Sequence, residues 1–187
     1  MTALTPSQIS ADEYLAHEQT SDQRHEFYAG LVIAQAGGSA LHNRITMNTL
    51  NSLYLQLQQR PCHVYGSDMR VNVPLKQSYV YPDVTVVCGD EQFADANQDI
   101  LLNPVVIIEV LSPSTERHDR GRKFEIYRSI ATLQEYLLIA QDTRRIDHFV
   151  RQSEKLWMFS SISAEEGELW LPSIQCMLHF EHVYRDA

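Results

Sequence analysis

Basic residues are scarce in this sequence, in which 15 Lys and Arg stand against 24 Asp and Glu for a formal net charge of −9. That balance works against indiscriminate attraction to a polyanion, because phosphate binding draws on an excess of Lys and Arg. It leaves room for a local basic patch, and carboxylates that hold a metal add negative charge that the cation offsets. Long apolar runs are missing too. The longest, at residues 105–108 and 136–140, fall far short of the roughly 20 needed to cross a bilayer, so no membrane span is expected. The opening Met-Thr-Ala-Leu-Thr-Pro-Ser-Gln has neither the basic segment nor the apolar stretch of a secretory leader, and a cytoplasmic location is the expectation. Cysteine is limited to Cys62, Cys88 and Cys176, an odd number at wide spacing without a CxxC pair. This argues against a zinc or redox motif, and we expect three reduced, buried thiols. Internal repeats, low-complexity tracts and long Gly/Ser linkers are also absent. With 187 residues, 44% hydrophobic and 21% charged, the chain is expected to form one domain spanning 1–187.

What is present reads as a mixed α/β (α+β) pattern. Ser10-Ala11-Asp12-Glu13 is a capping box, since Ser10 and Glu13 can each satisfy a free backbone donor, and it opens a helix to about residue 17. Residues 26–34 suggest two short strands joined at Ala29-Gly30. After Gly37-Gly38-Ser39, the apolar residues Leu41, Ile45, Leu50, Leu53, Tyr54 and Leu57 mark an amphipathic helix over about 40–59, stopped before Pro61. Strands are expected at 62–65, 69–73 and 84–88, then at 105–111, where the continuous run Val-Val-Ile-Ile-Glu-Val-Leu marks a central strand covered on both faces. Ser112-Pro113-Ser114-Thr115 forms a turn ahead of a helix to about residue 130, and strands follow at 135–140, 145–150, 155–160 and 169–172. The expectation is one mixed sheet flanked by two principal helices.

Glu109 stands out, because a carboxylate inside an apolar strand is costly unless something compensates it. Strand alternation points Ile107, Glu109 and Leu111 to one face and Ile108 and Val110 to the other. A buried salt bridge, or a strand-end position reaching water, would satisfy Glu109 on its own. Asp83, after Pro82 and at the entry to another strand, supplies a second carboxylate. Two carboxylates on neighbouring strands suit Mg²⁺, which takes oxygen ligands and keeps several waters. Lys123 follows on the next helix, sharing a face with Asp119 and Tyr127 at four-residue spacing. An ammonium there can orient a nucleophile and neutralise charge developing on phosphorus, although a solvated Lys123–Asp119 pair fits the same spacing.

The combination resembles the restriction endonuclease family abundant in cyanobacteria, a branch of the PD-(D/E)xK nuclease superfamily. The matching stretches are Arg24-His25-Glu26-Phe27-Tyr28-Ala29-Gly30, Tyr81-Pro82-Asp83-Val84, Ile108-Glu109-Val110-Leu111-Ser112-Pro113-Ser114-Thr115, Asp119-Arg120-Gly121-Arg122-Lys123 and Glu135-Tyr136-Leu137-Leu138. They cover most of the chain. The resemblance implies a restriction-endonuclease-like fold, Asp83 and Glu109 as metal ligands, Glu26 as an additional acidic residue, and Mg²⁺ or Mn²⁺ as cofactor. The superfamily pattern puts its Lys two positions after Glu109, where this sequence has Leu111; the resembling family supplies it from the following helix, at Lys123.

On this basis a Mg²⁺-dependent endodeoxyribonuclease is expected, with Asp83, Glu109, Lys123 and Glu26 catalytic, DNA as the nucleic-acid partner, and a homodimer suited to cutting both strands. The alternative is an inactive nuclease-fold protein that binds nucleic acid or a protein partner; a third reading is a phosphatase or nucleotide hydrolase using the same metal logic. Arg117, Arg120 and Arg122, with His42 at the start of the long helix, are candidate nucleic-acid contacts, extended by Arg144-Arg145. A solvated helix face explains these arginines equally well. Asp68 suits a turn, Ser112 and Ser114 lack a nucleophile elbow, and His179 and His182 lack a third zinc ligand.

Overall fold

A computed structural model describes residues 8–94, 96–113 and 115–187. The capping box forms as expected: Ser10 Oγ accepts from the Glu13 N–H at 3.2 Å and Glu13 accepts from the Ser10 N–H at 2.8 Å, opening α1 (Ala11–Glu18). The hairpin also forms, with β1 (His25–Tyr28) antiparallel to β2 (Leu31–Ala34). Its turn needs positive φ at both Ala29 (49°) and Gly30 (100°), a geometry that glycine adopts without cost. Helix α2 (Ala40–Leu57) begins at Ser39, whose Oγ accepts the His42 N–H, and buries Ile45, Thr49, Leu53 and Leu57.

Next come β3 (Cys62–Gly66), β4 (Arg70–Val73), β5 (Ser78–Val80), β6 (Val84–Cys88), β7 (Ile100–Leu101) and β8 (Val106–Val110). The expected helix after β8 is not regular. It divides into α3 (Glu116–His118), a π-helical turn over Asp119–Lys123, and α4 (Phe124–Tyr127). Beyond it lie β9 (Glu135–Ile139), β10 (Arg145–Arg151), β11 (Trp157–Ser163), β12 (Glu168–Leu171), β13 (Cys176–His179) and α5 (Phe180–Val183).

Among the described residues the strands make three sheets rather than the one expected. The largest has the order β11-β10-β9-β8-β6-β3, a second runs β2-β1-β5-β4-β7, and β12 pairs with β13. Among the described residues only β8–β9 and β4–β7 pair in parallel. Central β8 is buried throughout, as its unbroken apolar run predicts. Val106, Ile108 and Val110 join one core with α2, α5 and β12–β13. Ile107 and Leu111 join the other, with Ile126, Tyr127, Tyr136 and residues of the second sheet. Glu109 is therefore on the second face, as alternation requires.

The cysteine expectation is corrected. Cys62 and Cys88 are joined by a disulfide, and only Cys176 is a free, buried thiol. The physical reason is register: β3 and β6 pair antiparallel with Cys62 directly opposite Cys88, at a Cα separation of 4.0 Å. Such a juxtaposition belongs to tertiary pairing rather than to local spacing. No helix among the described residues is long and apolar enough to cross a membrane.

Candidate active site

β6 and β8 pair antiparallel with Val84 opposite Ile108, and extending that register by one residue brings Asp83 opposite Glu109. Val84 and Val86 point into the first core, so the alternating residue Asp83 faces the side that Glu109 occupies. Both carboxylates are nearly buried, at 8% and 3% exposure. Asp83 is fixed from behind by the Val110 N–H, which donates to its Oδ2 at 2.7 Å.

Lys123 reaches this site from the π turn, its Nζ 3.0 Å from Glu109 Oε1, 3.0 Å from Glu26 Oε1 and 3.7 Å from Asp119 Oδ1. One turn on, the Tyr127 hydroxyl donates to Glu109 Oε1 at 2.7 Å. Asp119, Lys123 and Tyr127 thus share the face that their spacing predicts, although a π turn presents them. The Asp119 carbonyl accepts from the Tyr136 hydroxyl at 3.0 Å, which satisfies a backbone group at the irregular turn. On the other side β1 contributes Glu26, which accepts from the Tyr28 hydroxyl at 2.5 Å and the Tyr81 N–H at 3.3 Å.

These side chains open on one cavity of about 660 Å³, lined by Glu26, Asp83, Glu109, Asp119 and Lys123 together with Arg24, His42 and His118. His42 Nε2 is 3.2 Å from Asp83 Oδ2. The preceding loop lies close to this ring, since a Cβ on Gly38 would stand 2.7 Å from His42 Nδ1. Ser39 Oγ donates to Gln141, and Gln141 donates to the Leu111 carbonyl at 2.6 Å, so the start of α2 is tied to the end of β8.

Charge in the cavity is unbalanced. Burial first, and then repulsion from Asp119, Asp83 and Glu26, holds the Glu109 carboxyl well above its usual range, with Lys123 pulling the other way. Burial likewise raises Asp119. Burial alone would lower Lys123, but Glu109, Glu26, Tyr28 and Asp119 outweigh it and keep the ammonium protonated. At His42 burial is outweighed by the hydrogen bond to Asp83 and by its charge, so its pKa is raised. His118 is lowered by burial and by Lys123. Three acids, Glu26, Glu109 and Asp119, therefore crowd one ammonium and Asp83 adds a fourth to the same cavity, an excess of acidic groups that a divalent cation would relieve. The donors are oxygen, as hard cations require, with Glu109 on β8 and Asp83 directly before the adjoining β6. The residues fit such an ion.

The other candidates are dispersed. Arg117 is exposed, Arg120 is engaged with Glu116 and Asp147, and Arg122 stacks over the Tyr28 ring at 4.8 Å. None of the three lines the cavity. Arg145 lies 3.6 Å from Asp147. Asp68 is an exposed partner of Arg24 at 2.6 Å. His179 and His182 pair with Glu168 and Glu181 at the surface. Ser112 borders the cavity, and Ser114 lies outside the described residues.

Arg24 and His118 are site residues that the sequence pattern does not single out. Both line the cavity, and His118 Nε2 is 3.0 Å from the Tyr28 hydroxyl. The signal was nearby, since Arg24 and Tyr28 flank Glu26 in one matching stretch and His118 precedes Asp119.

Residues 11–179 match the family model Uma2, described as "Putative restriction endonuclease". An uncharacterized protein of Synechocystis sp. is 38% identical over 169 residues, covering 90% of this chain and 96% of that protein. A second uncharacterized Synechocystis protein is 33% identical over 189 residues, covering 99% and 98%. Among solved structures, a protein of Anabaena variabilis described as "a putative nuclease belonging to DUF820" superposes with a TM-score of 0.78 at 17% identity, covering 94% of this chain and 97% of that one. At that identity the likeness speaks for the fold.

Proposed function

The chain belongs to the Uma2 family, whose model is described as "Putative restriction endonuclease", and from that premise we propose that it hydrolyses phosphodiester bonds of nucleic acid, with DNA as substrate, in the cavity between β8 and the π turn. One observation carries the reading: Asp83, Glu109, Lys123 and Glu26, from four separate segments, meet at a single open cavity.

Asp83 and Glu109 would hold a divalent cation, Mg²⁺ or Mn²⁺. When bound, such an ion supplies Lewis acidity at phosphorus and a more acidic water. The protein's own part is positional and electrostatic. The Val110 N–H and His42 fix Asp83, while Lys123 and Tyr127 fix Glu109. Lys123, protonated and pinned by Glu26, sets a positive charge at the cavity wall where charge on a phosphate grows, and it acts as an electrostatic group rather than a base. This arrangement substitutes for a lysine at the Leu111 position. Arg24, at the cavity lining, meets the phosphate backbone. A homodimer would present one such cavity to each strand of a duplex.

The test is incubation of the purified protein with supercoiled plasmid, single-stranded DNA and RNA, with Mg²⁺ or Mn²⁺ and with chelator. Metal-dependent nicking that disappears in Asp83→Ala and Glu109→Ala, with both variants folded, is the expected result. Polymers left intact but shifted on a gel would make the protein a binding module. Turnover of small phosphate esters alone would make it a phosphatase.

A further inference from the structure

We infer that His17, Glu18 and His25 form a second cation site, separate from the cavity and suited to a borderline transition-metal ion such as Zn²⁺. His17 and Glu18 end α1, and His25 begins β1, so the intervening turn folds the three together. One potential ligand atom from each lies within 4.8 Å of the other two. Ligand atoms on a tetrahedral Zn²⁺ stand about 3.3 Å apart, a distance that small side-chain adjustments reach from here. The His17 and His25 rings are already in edge contact, with centroids 5.1 Å apart.

Glu18 is the anchor. Its side chain is only 2% exposed, and among the described residues no Lys or Arg lies within salt-bridge distance of it. The His25 ring faces it, with Nδ1 3.0 Å from Oε2. The other oxygen, Oε1, accepts from the Tyr81 hydroxyl at 3.0 Å and the His25 N–H at 2.8 Å. The carboxylate is thus oriented by outer hydrogen bonds, as metal-ligating carboxylates are. An ion entering here takes the place of the proton between Oε2 and Nδ1, and exposed His17 closes over it with water as the fourth ligand. Two imidazoles and one carboxylate select Zn²⁺, Co²⁺ or Ni²⁺ over Mg²⁺, whose sites are built from oxygen. The bound ion pins the end of α1 to β1. Tyr81 connects it to the cavity, because the same residue gives its hydroxyl to Glu18 and its N–H to Glu26.

Titration of the full chain with Zn²⁺ against a chromophoric chelator tests this, with circular dichroism as a check on folding. The expected result is one tightly held ion per chain. His17→Ala, a change at an exposed position, weakens binding by at least about a hundredfold, since losing an outer partner alone costs roughly 10–100-fold. The double variants Asp83→Ala/Glu109→Ala and His179→Ala/His182→Ala bind the ion as the parent does. Absence of stoichiometric zinc, folded His17→Ala protein that binds as tightly as the parent, or loss of binding in either double variant would overturn the assignment.

Discussion

Two neighbouring strands each bury an acid, and the contrast between them separates a site from a brace. Glu109 on β8 and Glu135 on β9 are 3% and 0% exposed, and each has a basic partner from another segment. Glu135 is bound by the His148 ring and the Ser173 N–H, and it lines no part of the cavity. Its partners complete it, and it joins β9, β10 and the segment before β13. Glu109 has Lys123 and Tyr127, but its surroundings also hold Asp83, Asp119 and Glu26 and open to solvent. Burial of a charged residue is common to both; surplus charge of one sign beside an opening belongs to one. That surplus destabilises the folded protein locally, which is the usual condition of a site kept for chemistry.

The comparison breaks most sharply under isosteric neutralisation. Glu109→Gln or Asp83→Asn should lower plasmid cleavage by about 10²–10³-fold, in keeping with the loss of a group that supports the transition state, while the melting temperature changes little. Glu135→Gln should do the reverse. Its activity per folded molecule should match the parent, and its stability should fall by about 1–3 kcal/mol as His148 loses a charged partner. Thermal melts and initial rates on the same preparations separate the two outcomes. Equal loss of stability at both positions would make Glu109 a second brace.

Lys123 sharpens the contrast from the basic side. Lys123→Met should reduce cleavage by about 10–100-fold through lost electrostatic support. Its effect on stability should be mixed, because removing one buried cation leaves its three partners, Glu26, Glu109 and Asp119, unpaired while also relieving the cost of burying it. Measured rates for Lys123→Met beside Glu26→Gln, which keeps the ammonium but removes one of its anchors, should rank Lys123 first.

Not all of this contrast could be read along the chain. Glu109 was conspicuous because its strand is otherwise apolar, and its face followed from alternation alone. The capping box at Ser10, the hairpin at Ala29-Gly30 and helix α2 were legible for the same reason, since each depends on neighbours within a few residues. Short β5 and β7, the β12–β13 pair and the Cys62–Cys88 bond depend on partners far away in sequence, and local periodicity carries no record of them. Asp119, Lys123 and Tyr127 were expected on one face, but not the π turn that presents them. Glu135 drew attention only within a matching stretch, because a strand's first residue gives no sign of whether it is sealed. Arg117, Arg120 and Arg122 read as one patch beside Lys123; the fold brings Lys123 to the site, as expected, but engages Arg120 with Glu116 and Asp147 and lays Arg122 over Tyr28.

The smallest expected effect belongs to that patch. Arg117→Ala and Arg122→Ala should each change DNA binding by no more than a few-fold, seen as a salt-dependence slope lower by about one. Arg24→Ala, at the cavity lining, should cost more. Gel shifts across a salt series decide the order, and an Arg117 or Arg122 effect larger than that of Arg24 would move the docking surface to the outer helix face.

In the proposed function, Asp83 and Glu109 hold a divalent ion between them. Anomalous diffraction from a Mn²⁺-soaked crystal tests it most directly. The expected result is a single strong peak in the cavity, within coordination distance of both carboxylates and absent in Asp83→Ala. A cavity without a peak, with Asp83 still paired to His42 and Glu109 to Lys123, would contradict it.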